Sequence, residues 1–124
     1  MAPLAGGMDT GQLGKCIAHY QEMKKKFEDE VKKRKHTLDC MMKGEYPQWM
    51  IDLYDRAEPR DAPPLRKKMS SPLSAEAAMR HLKGIQDYEK VVEIVQEAFL
   101  NPLEAFRDNN EPLTDYMIER IEDF

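Results

Sequence analysis

The sequence predicts an all-α protein: a long N-terminal amphipathic helix, a short second helix, a proline-rich connector and a C-terminal helical subdomain, packed as a bundle or in coiled-coil fashion. Three observations carry this. Apolar residues recur at three- and four-residue steps over 11–43 and again over 74–100, the period of one helix face. Nowhere do apolar and polar residues alternate in a sustained run between Gly-Asn or Asp-Gly turns, the pattern of a half-buried hairpin strand. Charged residues make up 34% of the 124, with 41% hydrophobic and a mean hydropathy of −0.73. That charge content exceeds the roughly 25% of ordinary globular domains, and long solvated helices supply such an excess.

Residues 1–10, with Gly6 and Gly7 among small side chains, read as a flexible start. The first helix then runs over 11–43 on the stripe Leu13, Cys16, Tyr20, Met23, Phe27, Val31, Leu38 and Met41 or Met42. No proline interrupts it, and Gly44 stands where a left-handed C-terminal cap belongs. At about 1.5 Å per residue it is roughly 50 Å long and needs a partner along its length. Arg34 fills the one gap in the stripe, so the seam is expected to weaken there. A second helix over 45–57 starts with Pro47 in its first turn and gathers Trp49, Met50, Leu53, Tyr54 and Ala57 on one side. A fold at Gly44 lays that side on the end of the first helix.

The connector, 58–73, holds Pro59, Pro63, Pro64 and Pro72, which cannot continue a helix. Ser74 caps a third helix whose stripe is Ala78, Leu82, Ile85, Tyr88, Val92, Val95 and Phe99. Gly84, about 1 kcal/mol poorer than alanine in a helix interior, marks a break or a close helix contact. Asn101-Pro102 is read as the end of this helix and the start of a short turn through Arg107, with Leu103 and Phe106 inward. A turn at 109–112 leads to a last helix capped by Thr114, with Tyr116, Met117, Ile121 and Phe124 on one side. The division is therefore 1–10, 11–57, 58–73 and an acidic 74–124.

Charge is unevenly spread. Residues 1–70 carry 14 Lys/Arg against 11 Asp/Glu, while residues 71–124 carry 5 against 12. Two surfaces with different partners, or with each other as partners, follow from such a split. The start of the chain shows no secretory signal, and no stretch is apolar enough to span a bilayer. Cys16 and Cys40 lie some 36 Å apart on one helix, too far for a disulfide. Free thiols place the chain in a reducing cytoplasmic or nuclear compartment.

Reactive motifs are weak. Cys16 with His19, and His36 with Cys40, have helical spacings that suit zinc, but the pairs are about 25 Å apart along one helix. No metal, cofactor or catalytic residue is assigned. The carboxylates lie on heavily charged segments where they stay solvated, unlike the buried or paired carboxylates of acid–base catalysis. Gly11 to Lys15 lacks the spacing and preceding strand of a phosphate loop. Arg66-Lys67-Lys68-Met69-Ser70 has a basic context that some kinases favour, and Ser71-Pro72 is a proline-directed pattern.

Two surfaces are singled out. The apolar stripe with its neighbours (Tyr20, Met23, Phe27, Val31, Leu38, Met41, Met42 and Trp49) is the candidate partner-binding face, since methionine packs adaptably against partners. Lys25, Lys32, Lys33 and His36, with Arg66, Lys67 and Lys68, form the candidate phosphate-binding set, diluted by Glu22 and Asp29 on the same face. The expectation is a non-enzymatic protein–protein interaction module (an adaptor, assembly factor or inhibitor) that binds a protein partner, forms a homo-oligomer, or both. The alternative is a nucleic-acid-associated helical protein.

Overall fold

A computed structural model describes residues 10–57, 63 and 65–124. Of the flexible start expected over 1–10, residues 1–9 lie outside the described residues, as do connector positions 58–62 and 64, while Thr10 already opens the first helix. Helices α1 (Thr10–Met42), α2 (Gln48–Ala57), α3 (Ala75–Ile94), α4 (Asn101–Asn109) and α5 (Asp115–Glu122) account for most of the chain, with a π-helical turn at Val95–Leu100. Among the described residues there is no strand, only an isolated antiparallel bridge between Glu45 and Lys68. The chain is all-α.

The helix ends follow from local chemistry. Gly44, at φ +77°, donates its N–H to the Met41 carbonyl at 3.0 Å, and Glu45 donates to the Cys40 carbonyl at 2.9 Å. These two bonds are the Schellman pair that satisfies the last carbonyls of α1. Ser74 Oγ accepts from the Ala77 N–H at 3.2 Å, and Thr114 Oγ1 from the Met117 N–H at 3.3 Å. Asn110 ends α4 in the left-handed region at φ 60°, which short polar side chains tolerate best after glycine.

Pro102 requires a correction to the sequence reading. The chain does not leave the helix at Asn101-Pro102 but stays helical from Ala75 to Asn109. Pro102 has no N–H to donate, and its ring crowds the carbonyl four residues back. The π turn just before it widens the helix, and the Asn101 N–H reaches the Gln96 carbonyl five residues back. The interruption is a bulge rather than a stop.

The chain forms two compact units that cut across the linear division expected from the sequence. The first takes the described residues up to Asp29 together with Glu89–Phe124. Its core joins Leu13, Cys16, Ile17 and Tyr20 of α1 to Val95 and Leu100 of the π turn, Leu103 and Phe106 of α4, and Met117 and Ile121 of α5. Tyr20 stacks on Phe99 with ring centroids 4.7 Å apart, and Lys24 Nζ donates to Gln96 Oε1 at 2.8 Å.

The second unit is Glu30–Tyr88. Val31, Thr37, Pro47 and Ile85 are buried in it. The connector is tied to the end of α1 by the Met69 N–H on the Gly44 carbonyl at 2.7 Å and the Leu73 N–H on the Met41 carbonyl at 3.3 Å. No residue of α2 is buried.

Candidate functional site

The second unit holds a cleft built around one indole. Thr37, buried on α1, donates its hydroxyl proton to the Lys33 carbonyl at 2.8 Å and accepts the Trp49 Nε1–H at 2.8 Å. The Trp49 ring of α2 is thereby fixed in orientation, and Lys33 Nζ lies 4.1 Å from its centroid, a cation–π contact. Arg34, one residue on, pairs with Glu30 at 2.9 Å. Its guanidinium lies 4.4 Å over the Tyr88 ring, and Nη2 donates to the Tyr88 hydroxyl at 3.4 Å.

Gly84 lies on the facing helix, where an added methyl group would make ordinary contact with Arg34 Nη1 at 3.5 Å. Arg34 is thus a packing residue, and the seam expected to weaken at this position is filled by its stacked guanidinium. The resulting cleft, about 170 Å³, is lined by Glu30, Lys33, Arg34, Thr37, Trp49, Met50 and His81. A more open hollow of about 210 Å³ shares Arg34 and His81 with it and adds Ala77 and Arg80. Arg80 also pairs with Glu76 at 3.8 Å on an exposed surface, where an ion pair contributes about 1 kcal/mol or less. The cleft lining is therefore apolar at Trp49 and Met50 and charged at Lys33, Arg34 and Glu30, with Arg80 in the adjoining hollow.

The expected partner-binding stripe divides between core and surface. Tyr20 and Val31 are buried, and Met23 packs against the core of the first unit. Phe27, Leu38 and Met41 are half-buried, as is Trp49 in its cleft, while Met42 is 58% exposed. The expected phosphate-binding residues Lys25, Lys32, Lys33, His36, Arg66, Lys67 and Lys68 are all exposed. Lys33 enters the cleft wall, and the Lys67 carbonyl accepts the Tyr46 N–H at 2.6 Å. Ser70 and Ser71 are also exposed. His36 Nε2 lies 3.6 Å from Cys40 Sγ, whereas Cys16 is buried in the other unit.

Sequence reasoning missed Arg34, Thr37 and His81 as cleft residues and Arg80 beside them. One signal was present: Arg34 falls on the apolar stripe, where a cation needs an aromatic or carboxylate partner. Which helix faces which is long-range information that periodicity does not hold. Among the described residues no group of three or more His, Cys, Asp or Glu is placed to hold a metal ion, and no helix is long and apolar enough to cross a membrane. Comparison with protein-family models, with curated proteins and with solved structures yields no match.

Proposed function

We propose that the chain is a non-enzymatic helical protein–protein interaction module that receives its partner on α2 and the adjoining cleft. The observation that carries this is α2 itself. Trp49, Met50 and Leu53 share one side at three- and four-residue spacing, yet no residue of the helix is buried and Leu53 is 53% exposed. Covering a side chain of this size contributes about 1.5–3 kcal/mol, so a partly exposed apolar face beside a concave site suits a partner surface. The thiols of Cys16 and Cys40 are free, which suits a reducing intracellular compartment. An adaptor, an assembly factor and an inhibitor all work through such a surface.

The test compares wild type with Leu53→Asp as immobilised bait. The position is exposed, so the variant keeps its helical circular dichroism. A protein held by wild type and lost from Leu53→Asp supports the reading; identical captured sets on both overturn it. A second reading, nucleic-acid binding, is favoured by the gathering of Lys32, Lys33, His36 and Arg66 to Lys68 in one unit. Its expected signature is a salt-sensitive DNA or RNA shift abolished by reversing Lys25, Lys32 and Lys33 to glutamate. A shift that survives that reversal rejects it.

A further inference from the structure

The cleft on the second unit asks for a ligand of definite chemistry. Its apolar lining is Trp49 and Met50, and its volume is about 170 Å³. A cavity of about 150 Å³ suffices for a benzene ring, so the space fits one aromatic side chain. Lys33 and Arg34 line it and Arg80 lines the adjoining hollow, with Glu30 paired to Arg34 and Glu76 to Arg80. An aromatic ring flanked by carboxylates meets both demands.

That combination occurs on the first unit of this same chain. Tyr116 of α5 is 53% exposed. Glu119 and Asp123, three and seven positions on, are exposed on the same stripe. Arg120 lies 5.3 Å from the Tyr116 ring and pairs with Asp123 at 3.3 Å, so it supports the ring from one side. The larger charge pattern agrees. Residues 30–88 carry 12 Lys/Arg against 9 Asp/Glu, a net of +3, and the rest of the chain carries 7 against 14, a net of −7.

We propose that the cleft of one copy receives the Tyr116, Glu119 and Asp123 face of a second copy, forming a reciprocal dimer. The proposal rests on the reading of the cleft as a protein-docking surface. Each chain carries both the basic cleft and the acidic aromatic helix, and a two-fold pair that makes the contact twice is closed and does not grow into a filament. Complementary charge also sets the register and disfavours the cleft-to-cleft and α5-to-α5 alternatives, where like charges face each other.

The experiment is light scattering on the purified full chain from low to high micromolar concentration, in low and high salt. Wild type is expected at twice 14.5 kDa, with a dissociation constant that rises with salt. Lys33→Glu with Arg80→Glu, and separately Glu119→Lys with Asp123→Lys, are each expected to weaken the dimer about tenfold or more. An equimolar mixture of the two reversed variants is expected to restore it, because each acidic cleft then meets a basic α5 and each basic cleft an acidic one. The salt titration needs no variant and reads the proposal even where a reversed chain loses helicity.

A chain monomeric at every concentration in low salt overturns the proposal, as does a dimer insensitive to salt or a mixture that stays monomeric. A monomer whose Leu53→Asp variant still sheds a captured protein overturns the second copy and leaves the docking surface standing.

Discussion

Cys16 is enclosed by the core of the first unit, and burial pushes its thiol from 9.0 up to about 11. The folded chain therefore holds this proton more tightly than the unfolded one. The resulting stability is fully present below pH 9.0 and is lost as pH rises toward about 11. Tyr20 moves in the same direction, through burial first and then through the negative charge of ionised Cys16 and Tyr116, with Arg120 opposing. Melting temperature is expected to fall across this alkaline window, and to fall less in Cys16→Ala, where only the Tyr20 part remains. An equal fall in both proteins would contradict the assignment. Cys40 is more accessible, beside exposed His36. A thiol-reactive dye should label one cysteine rapidly in the native chain and two in denaturant; two fast native thiols would contradict the burial of Cys16. This contrast was legible in the sequence because it depends on helical phase alone: Cys16 falls on the apolar stripe, while His36 and Cys40 fall off it. The role of Arg34 was not legible, because Tyr88, which receives its guanidinium, lies 54 positions away.

The ends of the helices were the most readable elements. Gly44, Ser74 and Thr114 act within three or four residues of themselves, and each occupies the capping position that its chemistry suggests. Pro102 obeys a local rule that tertiary packing overrides. Leu103 and Phe106 are buried just beyond it, and their place in the core keeps the chain helical at the cost of a π turn. The buried step from Val95 to Leu100 spans five residues, which would put the two side chains roughly 140° apart on a regular α-helix. That irregular step was the available sign. Glycine gives two opposite expectations at this scale. Gly14 lies inside α1 and an added methyl group meets nothing within 4 Å, so Gly14→Ala should raise the urea-melt stability by about 0.5–1 kcal/mol. Gly44 sits at φ +77°, where an L side chain meets its own carbonyl, so Gly44→Ala should lower it by about 1–2 kcal/mol. Gains or losses of the same sign at both sites would contradict the two backbone conformations.

At the scale of the whole chain, the acidic and basic halves read from the sequence are redistributed into two units, neither matching the linear division. Periodicity locates α1 and α3 but does not reveal that each contributes to both units, since that depends on which faces meet. The first unit takes its core from both sides of the second in sequence, so removing residues 110–124 strips Met117 and Ile121 from Leu13 and Cys16. Each buried apolar side chain of that size contributes about 1.5–3 kcal/mol, against a total margin of about 5–15 kcal/mol. The shortened chain is expected to melt earlier and more broadly by circular dichroism; an unchanged melt would contradict the assignment of α5 to this core. The same discontinuity sets a clock on the ribosome. The stripe from Leu13 to Tyr20 leaves the exit tunnel well before Val95 and the residues that follow it. At about 5–20 residues per second, 75 residues of translation separate Tyr20 from Val95, an interval of about 4–15 s. The second unit is completed only at Tyr88, late in that interval, while Leu13, Cys16 and Tyr20 still await the side chains they pack against. Until Val95 and the helices after it emerge, that stripe is exposed apolar surface of the kind that nascent-chain chaperones cover.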